Sequence, residues 1–479
     1  MRPRLARALV PPSEPGLVAA FLLSRLLFLA VHVNMRTDTS GSMHLLPPEW
    51  ISAKALLLMP GQPPGFQMLV MAVGALPGLP LLAFTAMGLA TTLCTFRIMR
   101  ELVAPRLAWG AALLLAVAPA FILYERTVYY PMPILCALTV GLYLVSRARS
   151  LRDWSLAFGV LALPCWLHSF FQPVVLLAVG LACLLTASDR STVARALVLP
   201  LALAAAPTLK NGLLYDVWAS STWAPFSLAN IYAAATLTPE ERAALPFATP
   251  LTSLPPFSNP AAYGRPAPPT GEISLDAARK PNGADNWMSL ATVPAGAALM
   301  AETRQIIAAR PEVVARGLQG ALYFFMQSPS TFFHARNRER IGLYDTLWGL
   351  VTTGALSHPD RPLYSQFRAR RDLTPTTLWG WGRHFGWRHF PVLSLLSLPL
   401  LYGWGIWLAA TRRSPLTLAL LVVASYVGLL GCLAELGENM RFKAYIGPIL
   451  AIWLVSLVSS GLAWLRRRNE PTWARPPRP

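Results

Sequence analysis

Residues 34–67, NMRTDTSGSMHLLPPEWISAKALLLMPGQPPGFQ, follow the first apolar run of the chain and carry Asp38, Glu49 and Lys54. Most other charges in the first half of the chain lie in short basic connectors between apolar runs. Polar groups held at a membrane boundary are more often functional than incidental. We therefore interpret residues 34–67 as one wall of an active site.

The composition indicates an integral membrane protein. The 479 residues are 54% hydrophobic and 13% charged, whereas soluble domains carry about 25% charged residues. The net charge of +19 would suit nucleic-acid binding in a soluble protein. Here the arginines cluster at the ends of apolar runs, as the positive-inside rule predicts, so the charge indicates topology and no nucleic-acid partner is expected.

The cysteines and the first residues of the chain bear on compartment. The five cysteines all lie in apolar runs, where they behave as small hydrophobic residues, and their spacing indicates no disulfide or metal site. No small-residue cleavage site closes the first apolar run, which favours an uncleaved membrane anchor. The usage of Ala, Arg and Pro is typical of a bacterial plasma (inner) membrane protein.

Apolar runs predict about ten transmembrane helices, with both termini cytoplasmic and Arg-rich connectors on the inside. Residues 65–76 are apolar but shorter than the ~20 residues that a span requires, so we predict an in-plane juxtamembrane helix there. The predicted spans are 16–33, 81–98, 107–124, 132–146, 154–168, 173–186, 196–209, 391–410, 416–433 and 445–465.

This pattern divides the chain into three parts. Residues 1–209 form a membrane core of about seven helices, with the catalytic loop 34–67. Residues 210–390 form a hydrophilic extracytoplasmic loop domain with interfacial helices, far longer than an ordinary loop. Residues 391–479 form three further spans and a basic cytoplasmic tail.

The layout and several local motifs resemble the GT-C class of integral membrane glycosyltransferases. GlnProProGlyPhe at 62–66 is similar to the "HPPL" stretch of the protein-mannosyltransferase and aminoarabinose-transferase branches. GluArgThrValTyrTyrPro at 125–131 occupies the position of their polar second extracytoplasmic loop. Residues 210–223 and 438–448 resemble segments of bacterial members. Gly61-Gln62 stands in place of the histidine of that pattern, which leaves the role of that histidine open.

The resemblance implies an all-α polytopic fold with a large extracytoplasmic loop domain. It also implies an activity: transfer of a hexosyl or pentosyl group from a polyprenyl-phosphate donor to a glycan, lipid or protein acceptor on the extracytoplasmic face. Gln62, within the matching motif, becomes a candidate substrate-binding residue.

Inverting transfer needs a base that takes the proton of the acceptor hydroxyl. A carboxylate partly shielded from water can have its pKa moved toward the working pH. Asp38 is the first candidate because it lies a few residues after the first helix, and Glu49 and Glu125 follow. Glu49 equally fits a helix N-terminal charge after two prolines.

The leaving phosphate needs cations, and the extracytoplasmic side offers four candidates. Lys54 and Arg126 could neutralise the phosphate as a point charge or as a fork, and Arg441 and Lys443 form a further pair. Arg126 could instead pair with Glu125 or extend to the membrane interface. Tyr129 could stack on the sugar, although interfacial aromatics also serve as membrane anchors.

Other functions and cofactors stay open from the residues alone. A surface-polysaccharide polymerase or ligase also uses lipid-linked sugars, and a non-catalytic membrane transport or assembly protein needs no catalytic base. No cofactor is certain, and a divalent metal remains an alternative. His384 and His389 lie five residues apart beside arginines, which favours an interfacial loop over a metal site.

Overall fold

The computed structural model describes residues 13–31, 45–74, 78–246, 254, 257–263, 267, 269–332, 341–356, 377–434, 436 and 439–469. Their regular structure is helical apart from isolated bridges, one of which joins Arg279 and Asp285. The α-helices, numbered in chain order, are α1 Glu14–Val31, α2 Ala53–Leu58, α3 Gly65–Gly74, α4 Leu79–Arg100, α5 Pro105–Val117, α6 Pro119–Arg126, α7 Pro131–Arg147, α8 Leu151–Leu167, α9 Pro173–Thr186, α10 Arg190–Tyr215, α11 Ala224–Ala229, α12 Pro239–Ala243, α13 Ile273–Asp276, α14 Thr292–Ala309, α15 Glu312–Met326, α16 Gly342–Thr353, α17 Leu378–Phe385, α18 Val392–Arg412, α19 Pro415–Leu433, α20 Asn439–Tyr445 and α21 Gly447–Asn469.

Among the described residues, five helical segments are long and apolar enough to cross a membrane. These are α4, α10, α18 with the turn before it, α19 and α21. Helices α5 and α6 pass the same test only as a pair, bent by 53°. Helix α3 has 10 residues, which is too short for a span, as expected for a juxtamembrane helix. The chain is therefore a helical polytopic membrane protein, and the figure of about ten crossings remains a prediction.

Two ion pairs place several basic helix ends on one side of the molecule. Glu14 at the start of α1 pairs with Arg97 in the last turn of α4, at 2.6 Å. Glu101, just after α4, pairs with Arg147 at the end of α7, at 3.2 Å. We call this side the basic face. Because the start of α1 meets the end of α4, the two helices run in opposite directions between the basic face and the opposite face.

A break divides the predicted span 107–124 into α5 and α6. Pro119 begins α6, and a proline cannot donate the backbone hydrogen bond that would continue α5. The hydroxyl of Tyr344, on α16, donates to the carbonyl of Val117 at 2.5 Å. The break is thus stabilised from a distant part of the chain, and α6 follows its own direction.

A second hydrophobic cluster lies apart from the main membrane core. We call it the outer core. It joins the loop after α1 to the long segment between α10 and α18, so residues 46–59 belong in packing terms with the loop domain rather than with the N-terminal helices. Its buried members are Leu46, Trp50, Ala55, Met59, Phe226, Ala229, Tyr263, Leu275, Trp287, Met288, Leu290, Ala295 and Leu299.

Helix α15 belongs to the main core rather than to the outer core. Tyr323 and Phe324 are fully buried there, and Lys443 of α20 donates to the carbonyl of Met326 at the end of α15, at 2.8 Å. The predicted interfacial segment 210–390 therefore contributes one helix directly to the packing around the site described next.

Candidate active site at the opposite face

The centre of the site is a buried ion pair between helices that are 100 residues apart in sequence. Arg25 of α1 donates from Nε to Oε2 of Glu125 at 2.9 Å, and from Nη2 to Oε1. Arg25 and Glu125 are only 6% and 3% exposed. The guanidinium of Arg25 also lies over the ring of Phe21, at 3.8 Å from its centroid. A two-pronged pair of this kind fixes the direction of both side chains.

Helix α4 makes room for this pair with a glycine. A Cβ placed on Gly88 would lie 2.2 Å from Oε1 of Glu125 and 2.8 Å from its Cδ. No carbon atom can occupy that position while Glu125 keeps its place. The absence of a side chain at Gly88 therefore lets the carboxylate lie against α4.

Arg126 is the next residue, and it does not share the ion pair of Glu125 with Arg25. Sequence neighbours on a helix do not share a face, and Glu125 is already engaged by Arg25. Arg126 is 6% exposed, and within the described residues its guanidinium has no hydrogen bond or ion pair. The sequence analysis places both residues in a loop, whereas they form the last turn of α6. Pro119 restarts a helix that carries them inward.

Arg441, on α20, reaches the turn after α6. Its Nη1 donates to the hydroxyl of Tyr129 at 2.7 Å, and its Cζ lies 5.3 Å from the ring centroid of Tyr130 and 4.8 Å from that of Phe442. Aromatic faces attract a cation and hold a planar guanidinium in one orientation. The ring of Phe66, from the 62–66 motif, packs edge-on against Tyr130 at 5.7 Å.

Three of the four segments that carry the family resemblance, 62–66, 125–131 and 438–448, therefore meet at this face. Phe66 comes from the first, Tyr129 from the second and Arg441 from the third. Gln62 is 8% exposed, and its Oε1 lies 3.5 Å from the backbone nitrogen of Ser169. His168, beside Ser169, places its ring 4.0 Å from that of Tyr130.

Gly61 lies where no side chain fits. A Cβ on Gly61 would lie 2.3 Å from the carbonyl oxygen of Trp287, so no larger residue fits without moving the outer core. The hydroxyl of Ser221 donates to the carbonyl of Gly61. The turn before Gln62 is therefore clamped between two parts of the long segment.

Lys443 is buried on α20, two residues after Arg441, with 7% exposure. Its ammonium caps the C-terminal end of α15 through Met326, a position where a cation is favoured. Burial lowers the pKa of Lys443 to about 7. This lysine contributes positive charge next to the site only in the lower part of the physiological pH range.

Lys54 and Glu49 lie away from this cluster, at the outer core. The Lys54 side chain is 53% exposed and pairs with Glu272 at 3.7 Å, and it also donates to the carbonyl of Thr270. Glu49 lies on the surface in a short 3₁₀ turn, Pro48–Trp50. The structure thus brings Gln62, Glu125, Arg126, Tyr129, Arg441 and Lys443 to one region and leaves Lys54 and Glu49 outside it.

Asp38 lies outside the described residues, and its role stays a prediction. The chain is described again at residue 45. Oε1 of Gln67 accepts from the backbone nitrogen of Leu46 at 2.7 Å, and Lys280 donates to the carbonyl of Leu45 at 2.7 Å. Residue 45 is therefore held between α3 and the outer core.

No group of three or more His, Cys, Asp or Glu side chains in the described part of the chain could hold a metal ion. His389 uses its Nδ1 to bond the carbonyl of Leu356 and its Nε2 to accept from Arg388. The ring therefore serves the local fold between α16 and α18.

The sequence pattern did not indicate that Arg25 pairs with Glu125, and it gave no role to Gly88. An arginine inside an apolar helix requires a partner. The sequence does not indicate which carboxylate of the neighbouring helices that partner is. The glycine carried no signal of its own, because its role follows from the position of Glu125.

Comparisons with known proteins complete the description. No protein-family model and no curated protein matches the chain. Among solved structures, the apo form of the Archaeoglobus fulgidus oligosaccharyltransferase is 13% identical with a TM-score of 0.41, covering 96% of this chain and 52% of that one. The structure of the archaeal oligosaccharyltransferase AglB from the same organism, in complex with an inhibitory peptide and a dolichol-phosphate, is 14% identical with a TM-score of 0.39, with the same coverage. The chain spans about half the length of these proteins, and likeness at this level assigns neither fold family nor activity to it.

Proposed function

We propose that this protein transfers a sugar, hexosyl or pentosyl, from a polyprenyl-phosphate donor to an acceptor glycan, lipid or protein at the face opposite its basic helix ends. The observation that carries the proposal is Arg126, a side chain only 6% exposed that makes no hydrogen bond or ion pair within the described residues, beside an ion pair that is already complete. The proposal places the protein in a bacterial inner membrane with that face outside the cytoplasm.

The charges around Arg126 favour an anion. Glu125 offsets the charge of Arg25, so Arg126 leaves about one positive charge without compensation in this part of the structure. Burying an unpaired charge costs several kcal/mol. A phosphate oxygen offsets that cost, and guanidinium groups match phosphate geometry with two parallel hydrogen bonds.

The position of Arg126 suits a ligand that is both charged and lipid-attached. Arg126 ends α6, and the α5–α6 pair is apolar enough to cross a membrane. A soluble phosphate compound gains nothing from such a location, whereas a polyprenyl phosphate keeps its chain in lipid and its head group at the helix ends. We assign contact with the sugar ring to Tyr129, whose own ring packs against that of Tyr130.

The proposed reaction moves one proton and exchanges one bond. A base takes the proton of the acceptor hydroxyl, whose oxygen forms a bond to the anomeric carbon of the donor sugar. The bond between that carbon and the phosphate oxygen breaks, and the lipid phosphate leaves with one additional negative charge. Arg126, with Arg441 behind Tyr129, would stabilise this developing charge.

The three candidate carboxylates differ in their suitability as the base. Glu125 is engaged by Arg25, and Glu49 lies on the surface near the outer core. Asp38 is thus the candidate to which the proposal assigns proton transfer.

The proposal is tested with purified protein in lipid nanodiscs and a panel of radiolabelled polyprenyl-phosphate sugars. We expect sugar transfer with at least one donor, and Arg126→Gln should lower kcat/KM by about 10²-fold, the usual effect of removing one donor to a developing oxyanion. Arg106→Gln, an exposed arginine at the basic face of α5, is the matched control and should keep the wild-type rate.

Lys54→Ala distinguishes the two cations that the sequence offered for the phosphate. Exposed ion pairs contribute at most ~1 kcal/mol, so we expect nearly wild-type transfer. Equal rates for Arg126→Gln and the wild type would remove the phosphate role of Arg126. Absence of transfer with the whole panel would favour a non-catalytic membrane protein.

A further inference from the structure

We propose that Gly88, Arg25 and Glu125 form a positioning device that sets the direction of Arg126 toward the donor phosphate. This inference rests on the proposed function, because it concerns the same anion site. None of the three residues would touch the substrate. They act through the last turn of α6.

The device begins with a carboxylate held between two helices, α1 and α4. Arg25 grips both oxygens of Glu125 from α1, and the backbone of α4 at Gly88 lies against Oε1. The third nitrogen of Arg25, Nη1, donates to Ser24 at 2.8 Å. Arg25 is itself fixed by Phe21 beneath it. Glu125 consequently has one position rather than several.

A fixed Glu125 also fixes the rotation of the end of α6. The helix begins at Pro119, so it has only 8 residues and cannot draw its orientation from the continuous backbone of α5. Tyr344 secures the break itself through Val117. The Arg25–Glu125 pair secures the other end, and consecutive helix residues differ by about 100° in direction. The direction in which Arg126 leaves the helix then follows from the position of Glu125.

This arrangement also explains why Arg126 does not form an ion pair with Glu125. In an ordinary buried cluster the nearest carboxylate would pair with both arginines. Here Glu125 lies on the side of α1 and α4, with both oxygens used by Arg25. The excess positive charge therefore belongs to Arg126.

The primary test is Gly88→Ala, with Gly110→Ala as the matched control. A Cβ on Gly110 of α5 would meet no atom within 4 Å, so the control adds the same methyl group to an apolar helix. We expect Gly88→Ala to raise the Kd for farnesyl phosphate in detergent about tenfold, the loss of roughly one charge-assisted hydrogen bond, while Gly110→Ala binds as the wild type does. An unchanged Kd in folded Gly88→Ala would overturn the inference.

A double variant distinguishes a positioning role of Gly88 from a general loss of stability. Glu125→Asp shortens the carboxylate by one methylene and withdraws it from α4, but it should weaken phosphate binding by itself because it no longer reaches Arg25. Combined with Gly88→Ala, the shorter side chain clears the new methyl group. We expect the double variant to bind farnesyl phosphate as Glu125→Asp alone does, with no further loss from the new methyl group, a non-additive result that a purely destabilising change would not give.

Arg25→Lys gives a second readout if Gly88→Ala does not fold. It keeps the positive charge opposite Glu125 but loses the two-pronged grip, so we expect a raised Kd for farnesyl phosphate and a raised KM for the donor. Wild-type binding in folded Arg25→Lys would contradict the device.

Binding of farnesyl phosphate and transfer of the sugar can be lost independently of each other. The two measurements therefore test the positioning device and the proposed activity separately. If the wild type binds farnesyl phosphate with the expected variant pattern but transfers no sugar, the positioning device stands and the proposed activity falls. If transfer occurs and Gly88→Ala alters neither binding nor KM, the activity stands and the device falls. Binding of inorganic phosphate with equal affinity would show that the site recognises the phosphate rather than the lipid.

Discussion

The guanidinium of Arg441 donates a 2.7 Å hydrogen bond to the hydroxyl of Tyr129, which lies 312 residues earlier in the chain. The bond joins α20 to the turn after α6, and it is buried at both ends, since Arg441 is 3% and Tyr129 is 4% exposed. The first and last parts of the chain therefore build one polar region, and the candidate site cannot form from either part alone.

Arg441→Lys should lower sugar transfer about tenfold while the protein stays folded. A lysine keeps the charge but cannot lie flat between the rings of Tyr130 and Phe442 while bonding Tyr129. Initial rates at saturating donor measure the effect. Arg413→Lys, an exposed arginine just after α18, is the control, and equal losses in both variants would argue against a role for stacking.

Asp38→Asn should lower turnover by 10²–10⁴-fold if Asp38 is the general base. The amide keeps the shape of the side chain and removes its ability to accept a proton. Glu49→Gln, on the exposed turn near the outer core, should leave turnover unchanged. Wild-type turnover in folded Asp38→Asn would pass the role to Glu49 or Glu125.

Lys443→Met should stabilise the protein most at low pH. The pKa of Lys443 is lowered by burial from 10.5 to about 7, so the unfolded chain binds more protons than the folded protein between those values, and wild-type stability rises with pH across that window. The variant has no such group, and its gain in melting temperature should be largest below pH 7 and vanish near pH 10.5. A gain independent of pH would show that Lys443 is charged throughout; Lys54→Met, at an exposed site, should show none.

Gly61→Ala should destabilise the contact between the 62–66 motif and the outer core by about 1–3 kcal/mol, the usual cost of overpacking. The new Cβ would press on the backbone carbonyl of Trp287, which cannot turn aside as a side chain could. Hydrogen exchange of residues 286–290 measures the loss as faster amide exchange. Gly74→Ala, where a Cβ meets no atom within 4 Å, should exchange as the wild type does.

The helices of the membrane core were largely predictable from the sequence. The predicted span 173–186 has the same bounds as α9, and 416–433 differs from α19 by one residue. Long apolar runs bounded by arginines and prolines carry this information locally. The break before Pro119 was not predicted, because a proline inside an apolar run is compatible with either a kink or a new helix.

The pairing of charges could not be predicted in the same way. The sequence suggested Glu125 or the membrane interface as the partner of Arg126, whereas Glu125 pairs with Arg25. Lys54 was a candidate phosphate ligand because it is a cation on the predicted extracytoplasmic side, but its partner Glu272 lies in the long segment. Such pairs depend on the packing of segments that are 100 or more residues apart in sequence. The residues around each charged side chain do not indicate which distant segment it will contact.

The packing of the outer core limits which parts of this sequence can be exchanged separately. Its members come from residues 46–59 and from residues 226–299, and Gly61 is clamped by Ser221 and Trp287. The loop beside the candidate base and the long segment are therefore one module split by the membrane helices between them. A long segment transplanted from a relative should function only when the loop after α1 is transplanted with it, so acceptor preference and loop sequence are expected to be inherited together.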